Sequence, residues 1–259
     1  MKTLVVATGR DEQILKCWVP TLQEKGKYNG EILFLNYDLL ESSIEILREN
    51  TKIMLKKVEK VYNEISSDRI RGFYERLKDI WQNYDVIMMS DGDLEFFKPI
   101  APLFELAKEK ICYVTEKTIL KDWGYHYDMY PYPYAREIWE VIRDNPMINT
   151  GMIIGPSKLF IEYLKFVTEK LRLEATWGAD QLIFNVLIYH YKTLPNQPIN
   201  WEWNYLSVYN HVRENDKCFD ENGKEISILH KIGTTLSPKQ IPIKNILEGL
   251  GIKKVVLPI

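Results

Sequence analysis

Three kinds of feature are scarce in this 259-residue chain, and each shortage removes a class of protein. Cysteine is the first: Cys17, Cys112 and Cys218 are far apart and odd in number, which suits reduced thiols rather than a disulfide framework or a metal-ligand set. Basic excess is the second. Lys plus Arg number 34 against 36 Asp plus Glu, leaving a net charge of −2, so nothing grips a phosphate backbone and no nucleic-acid partner is expected. Long apolar runs are the third. No stretch reaches the ~20 residues of a membrane span, and "MKTLVVATGRDEQ" has too short an apolar run and no small-residue cleavage pattern for a signal peptide. The expectation is a cytoplasmic protein with no transmembrane segment. Internal repeats and flexible linkers are missing as well, so residues 1–259 read as one domain.

What is present is ordinary for a folded domain: 46% hydrophobic and 27% charged residues. Residues 4–7 form a short apolar run closed by Thr8-Gly9. A helical stretch with Ile14, Leu15, Trp18 and Leu22 follows, then the β-rich "EILFLNYD". Strand, helix, strand in that order predicts parallel strands joined by helical crossovers, an α/β fold. Between residues 43 and 65, Ile46, Leu47, Ile53, Met54, Val58, Val61 and Ile65 recur at roughly helical spacing, which predicts one or two helices. "IRGFYERLKDIW" is an amphipathic helix feeding an apolar strand at 86–89. "KICYVTE" and "MINTGMIIG" are further strands, and "SKLFIEYLKFVTEKL" is a helix with Ser157 as its cap. "DQLIFNVLIYHY" is another helix and "ISILHKIG" a late strand. Residues 121–135 break every period and read as a long loop.

"VIMMSDGDLEF" carries the most pointed chemistry. Asp-Gly is a strong turn signal. The run before it, however, is continuously apolar, as in a central strand covered on both faces, and the carboxyl ends of such strands are where open α/β sheets bind ligands. Asp91 and Asp93, at i and i+2, can point to one side. Held ~4 Å apart they would repel by about 4 kcal/mol at an effective dielectric of 20, and a divalent cation turns that cost into coordination. Oxygen ligands suit Mg²⁺ or Mn²⁺ with positions left for phosphates, and Gly92 allows close backbone approach to a ligand. These residues leave an acidic turn and a cation site equally open. Three other stretches are individually weak. Asn149-Thr150-Gly151 reads as a turn into a strand or a pocket wall. Asp180-Gln181 reads as the polar first turn of a helix, favoured by its dipole, or as part of a site. His230, ending an apolar run, reads as a structural residue or a ligand.

In their order, "SDGD", "INTG", "GADQ" and "HKIG" resemble the DxD, N-[AS]-G, D-Q and H-x-x-G segments of the retaining nucleotide-sugar glycosyltransferases of family 8, the group of glycogenin and the lipopolysaccharide galactosyltransferases. "YERLK" is similar to the family's Arg- or Lys-bearing helix and "INWEWN" to its W-N segment, so the resemblance covers most of residues 1–240. It implies a GT-A fold, with a mixed, mostly parallel sheet flanked by helices. A nucleotide-binding half at 1–115 would end in the DxD strand, and an acceptor-binding and catalytic half would occupy 116–259. It implies Mn²⁺ (or Mg²⁺) on Asp91, Asp93 and His230. Donor contacts would come from Thr8, Gly9, Arg10, Arg76, Asp91, Gly92, Asn149, Gly151, Asp180 and Gly233, with Asp180 and Gln181 as catalytic residues near the anomeric carbon. The implied reaction moves a hexose from a nucleotide-diphosphate sugar, a UDP-sugar first, to a glycan, lipid-linked or protein acceptor with retention of configuration.

Two stretches depart from the family. "ATGRDE" has Gly9 and Arg10 where an acidic residue usually reads the base, and Leu236 stands where a diphosphate lysine is usual, with Lys231 and Lys239 as the available substitutes. The competing functions are a nucleotidyltransferase that makes the activated sugar, and a non-catalytic nucleotide- or glycan-binding module on the same fold. A DxD phosphatase fits less well, because its motif closes the first strand of the chain. Finally, "WGYHYDMYPYPY" gathers Trp123, Tyr125, Tyr127, Tyr130, Tyr132 and Tyr134, either as a self-packed loop stiffened by Pro131 and Pro133 or as a platform for an acceptor sugar.

Overall fold

The computed structural model describes residues 1–62, 64–123, 134–171 and 177–231. Strand β1 (Thr3–Thr8) is followed by a helical run over 11–24 with a π-helical centre at Ile14–Trp18, and then by β2 (Glu31–Asn36). Ile14, Trp18 and Leu22 are four residues apart and all fully buried, an interval that the wider π turn keeps on one side. Along the chain come β3 (Ile53–Lys57), β4 (Val86–Asp91), the short β5 (Leu94–Phe96), β6 (Ile111–Ile119), β7 (Pro146–Pro156) and β8 (Asn196–Pro198).

All but β5 join one seven-stranded sheet in the order β3-β2-β1-β4-β7-β6-β8. Strands β3, β2, β1 and β4 pair in parallel, β7 runs antiparallel to β4 and β6, and β8 is parallel to β6. Helices cover both faces, which explains the unbroken apolar runs. Leu4, Val6, Ile87 and Met89 pack with Ile70, Phe73 and Leu77 on one side; Val5, Ala7, Val86 and Met88 pack with Trp18 and Leu22 on the other. Each of the Val, Leu, Ile, Met and Phe side chains among these contributes about 1.5–3 kcal/mol by leaving water. The boundary at 115/116 falls inside β6, so the two halves share this sheet.

The second half adds β9 (Tyr205–Leu206), β10 (His211–Glu214), β11 (Lys217–Asp220), β12 (Glu225–Ile226) and β13 (Ile228–His230). Strands β10, β11 and β12 form an antiparallel sheet, while β13 lies between β5, antiparallel, and β9, parallel. No described helix is long and apolar enough to cross a membrane.

Two expectations need correction. Residues 43–65 hold one helix, Glu41–Glu49, and then the edge strand β3, not a second helix. The edge position leaves Met54 and Leu55 only half-buried, and the strand is paired on one side by β2. Ser157 is the first residue of the Ser157–Lys170 helix rather than its cap. Pro156 holds the cap position, and the Ser157 backbone N–H donates to Asp85 O at 3.0 Å.

Candidate functional site

Strand order reverses between β1 and β4, since β2 and β3 lie on one side of β1 and the later strands on the other. Such a switch point opens a crevice at the carboxyl ends of the parallel strands. Thr8 and Asp91, the last residues of β1 and β4, are register partners there. Gly92 donates its N–H to Thr8 O at 2.9 Å. A Cβ on Gly92 would stand 2.7 Å from Thr8 O and 2.8 Å from Gly9 Cα, so both glycines are needed for the two strand ends to touch. Gly92 thus permits the close approach of the two strand ends at Thr8-Gly9. The Thr8 hydroxyl donates to Leu35 O at 3.0 Å.

Asp91-Gly92-Asp93 is also a turn, but not a hairpin: β4 and β5 belong to different sheets, and the turn carries the chain from one to the other. That transfer assembles the site. Strand β13 pairs with β5 so that His230 faces Leu94 in register, and the Lys231 N–H donates to Asp93 O at 3.1 Å. His230 Nε2 then lies 3.2 Å from Asp93 Oδ1 and 3.5 Å from Asp91 Oδ2. One ligand atom from each of the three residues falls within 4.8 Å of the others. Burial would raise the Asp93 pKa, but the neighbouring His230, a backbone N–H and Arg69 together hold it below the usual carboxylate range. Two carboxylates and an imidazole nitrogen converging in this way form the donor set of a divalent cation, which would satisfy all three at once.

The Ile65–Leu77 helix delivers a cation to the same place. Its first turn is pinned by buried Asp68, whose Oδ1 accepts the N–H groups of Val61 and Tyr62 at 3.0 Å each. The next residue, Arg69, pairs with Asp91 and reaches Asp180 Oδ2 at 3.3 Å. Its guanidinium also lies 3.5 Å from Thr150 O. Arg69 thus links β4, β7 and the Ala179–Val186 helix. Asp180 is 2% exposed; burial pushes its carboxyl pKa up, while Arg69 and the N–H groups of the helix start pull it back. Gln181 Oε1 accepts from the Thr150 N–H at 3.3 Å and the Thr150 hydroxyl at 3.2 Å, and its buried Nε2 has no partner among the described residues.

Asn149 and Gly151 form the floor. Asn149 Oδ1 accepts the Gly151 N–H at 2.8 Å and the Asn204 Nδ2 at 2.9 Å, and Asn149 Nδ2 donates to Glu116 Oε1 at 2.9 Å. Glu116 is buried, and burial pushes its pKa up against two N–H donors that favour the carboxylate, Asn149 and Trp123 Nε1. Trp123 in turn stacks on Trp177 with centroids 5.3 Å apart.

Other expected residues lie elsewhere. Arg76 is exposed and donates to Lys57 O at 3.1 Å, two turns and about 10 Å along the helix from Arg69. Arg69, not Arg76, meets the acidic pair. Arg10 is exposed at the start of the first helical run. Lys231 extends its Nζ to Glu95 Oε2 at 2.9 Å and Cys17 Sγ at 3.2 Å, which commits it to a neighbouring ion pair. Gly233, Leu236, Lys239 and the tyrosines at 125, 127, 130 and 132 lie outside the described residues.

No protein-family model matches the chain, and no curated protein sequence does. Among solved structures, an active-site variant of LgtC aligns over 97% of this chain and 97% of its own, with a TM-score of 0.55 and 12% identity. The galactosyltransferase LgtC in complex with donor and acceptor sugar analogues aligns over 98% and 97%, with a TM-score of 0.49 and 13% identity. The chain has the GT-A fold. In this GT-A sheet the acidic turn occupies the crevice end of the switch point, and the small β5–β13–β9 sheet closes one side of it. Arg69 and Glu116 join the cluster by contact, through Asp91 and Asp180 and through Asn149, yet neither stands out in the sequence. Arg69 lies one residue before the stretch "IRGFYERLKDIW" that reads as a helix, which in fact begins at Ile65, and Glu116 is only the polar end of a strand. Asn204 carried the one usable signal, as the last residue of "INWEWN".

Proposed function

We propose that the chain is a metal-dependent glycosyltransferase that moves a hexose from a nucleotide-diphosphate sugar, a UDP-sugar first, to a hydroxyl of a glycan, lipid-linked or protein acceptor. The observation that carries this reading is the convergence of Asp91, Asp93 and His230 within 4.8 Å at the switch point of the sheet. A carboxylate and imidazole set favours Mn²⁺, with Mg²⁺ as the alternative, over Ca²⁺. When bound, such an ion supplies Lewis-acid stabilisation of the charge that develops on the leaving diphosphate.

The chain's own residues supply position and charge. Arg69 holds a guanidinium against Asp91, where the diphosphate of the donor would lie. Asp180 is a positioning residue in this scheme: its carboxylate is engaged by Arg69 rather than free to attack. Gln181, with Nε2 unengaged among the described residues, is the group available to donate to the donor sugar, and Asn149 and Gly151 line that pocket. Thr8, Gly9 and Arg10 at the end of β1, with Asp91 and Gly92, frame the nucleotide. Retention of anomeric configuration is the outcome the family resemblance implies, and proton NMR of the product reads it. The three cysteines are free, which suits work in the cytoplasm.

Thermal unfolding with UDP-, ADP- and GDP-sugars, with and without Mn²⁺, tests the reading. A ligand at 100 times its Kd adds about 2.7 kcal/mol of stability. A shift requiring both Mn²⁺ and one nucleotide sugar is expected, followed by release of sugar from that donor. No metal-dependent shift with any nucleotide sinks the proposal. Binding without sugar release would mean a non-catalytic module, and formation of a nucleotide sugar from nucleoside triphosphate and sugar phosphate would mean a nucleotidyltransferase.

A further inference from the structure

We propose that the open cavity between the end of β3 and the Ile65–Leu77 helix binds a small phosphate monoester, at a site separate from the cluster of Asp91, Asp93 and His230. The inference does not depend on the glycosyl-transfer reading.

The cavity has a volume of about 450 Å³, and Lys57, Glu59, Arg71, Gly72, Glu75 and Arg76 are among the residues that line it. Sites for small molecules occupy roughly 300–1,000 Å³. Thr8 pairs with Leu35, and Leu35 with Lys56, across β1, β2 and β3. Lys57 therefore stands two strands, about 10 Å, from the end of β1. The cavity lies at the same edge of the sheet as the crevice, but beside the outermost strand. Arg76 is likewise two helical turns from Arg69, the residue that meets the acidic pair.

Part of the charge around this hollow is already matched. Asp68 takes Arg71, through Nε to Oδ1 at 3.0 Å and Nη2 to Oδ2 at 2.9 Å, and Lys78 takes Glu75 at 2.6 Å. Lys57 and Arg76 form no ion pair among the described residues, and Glu59 pairs with neither of them. Two cations and one carboxylate thus remain uncommitted. The guanidiniums are held in place by the strand: Arg76 Nη2 donates to Lys57 O at 3.1 Å and Arg71 Nη2 to Glu59 O at 2.8 Å. Arg76 keeps its Nε and Nη1, and Arg71 its Nη1, without a partner among the described residues. A guanidinium fork matches the oxygens of a phosphate, and Lys57 adds a point charge. Donors fixed before binding lower the ordering cost of capture. Glu59 selects the rest of the ligand. Its carboxylate repels a bare anion but accepts from hydroxyls, so a phosphate carried on a hydroxylated carbon skeleton satisfies both signs of charge.

Titration calorimetry with inorganic phosphate, glycerol 3-phosphate and glucose 6-phosphate at low ionic strength tests the proposal. At least one ester should bind, and more tightly than inorganic phosphate. Lys57→Gln combined with Arg76→Gln should weaken that ester by roughly tenfold or more, the usual worth of hydrogen bonds to charged groups. Glu59→Gln should narrow the gap between the ester and inorganic phosphate. In ¹⁵N-labelled wild type, the backbone amides of residues 57–59 and 71–76 should shift on titration with the same ester, a readout that needs no variant to fold. Shifts confined to Asp91, Asp93 and His230 would put the ester in the crevice and overturn the proposal. No binding by either ester, equal binding of all three probes, or an unchanged affinity in the double variant would overturn it as well.

Discussion

A methyl group on Gly151 would stand 2.2 Å from His230 Cε1 and 2.7 Å from its Nδ1. The imidazole rests on the backbone of β7 and needs residue 151 to have no side chain. Gly151→Ala should push the ring away from Asp91 and Asp93. Displacing a ligand in this way typically costs 10- to 100-fold in metal affinity. Overpacking the site should also cost about 1–3 kcal/mol of stability. Calorimetric titration with Mn²⁺, alongside urea unfolding, measures both.

Asp93→Asn should remove the Mn²⁺-dependent part of the stabilisation by UDP while changing the melting temperature of the free protein only slightly. The amide has the shape of the carboxylate, and the backbone bond from Lys231 to Asp93 O is untouched. Thermal unfolding with and without the ion reads the result. A variant that fails to fold would mean that Asp93 serves the turn alone.

Arg69 and Arg76 separate site from surface. Arg69→Ala leaves Asp180 buried without its partner, which should cost about 3–5 kcal/mol, with donor binding lost even where the fold survives at low temperature. Arg76→Ala removes an exposed bond to Lys57 O and should stay within about 0.5 kcal/mol. Chemical denaturation of the two variants side by side tests the assignment, and a large effect of Arg76→Ala with none from Arg69→Ala would reverse it.

Glu116 sets a pH dependence whose sign is fixed. Its folded pKa lies above its ordinary value of 4.5, so the folded protein binds the proton more tightly than the unfolded chain. Its contribution to stability is therefore complete below pH 4.5 and declines as pH rises through the folded value. Wild type should lose stability relative to Glu116→Gln across that window and then run parallel to it. Denaturation of both proteins at a series of pH values gives the difference directly and cancels groups common to both. A difference that does not change with pH would mean that burial does not raise Glu116.

The main sheet was readable because β1, β2 and β4 are buried on both faces and so are continuous apolar runs. The misreading at 43–65 has a definite cause. Leu47, Met54, Val58, Val61 and Ile65 fit a helical period by coincidence, while the half-buried edge strand β3 supplies no alternation to contradict it. The acidic pair and its three companion motifs were visible as motifs. What joins them was not: β5 and β13 are three residues each and β9 is two, too short for any period, yet they bring His230 to the turn. Arg69 and Arg76 fall on nearly the same stripe of their helix, since a heptad drifts by only ~20°. Pattern alone cannot decide which turn abuts the sheet.

The pairing of β13 with β5 also sets when the cluster of Asp91, Asp93 and His230 can form. A ribosome-bound chain that has emerged only through β7 already carries both carboxylates, Arg69 and Gly151, but not His230. The three-residue cluster is therefore complete only when the last described strand is delivered, whereas Arg69 and the acidic turn it pairs with are made long before.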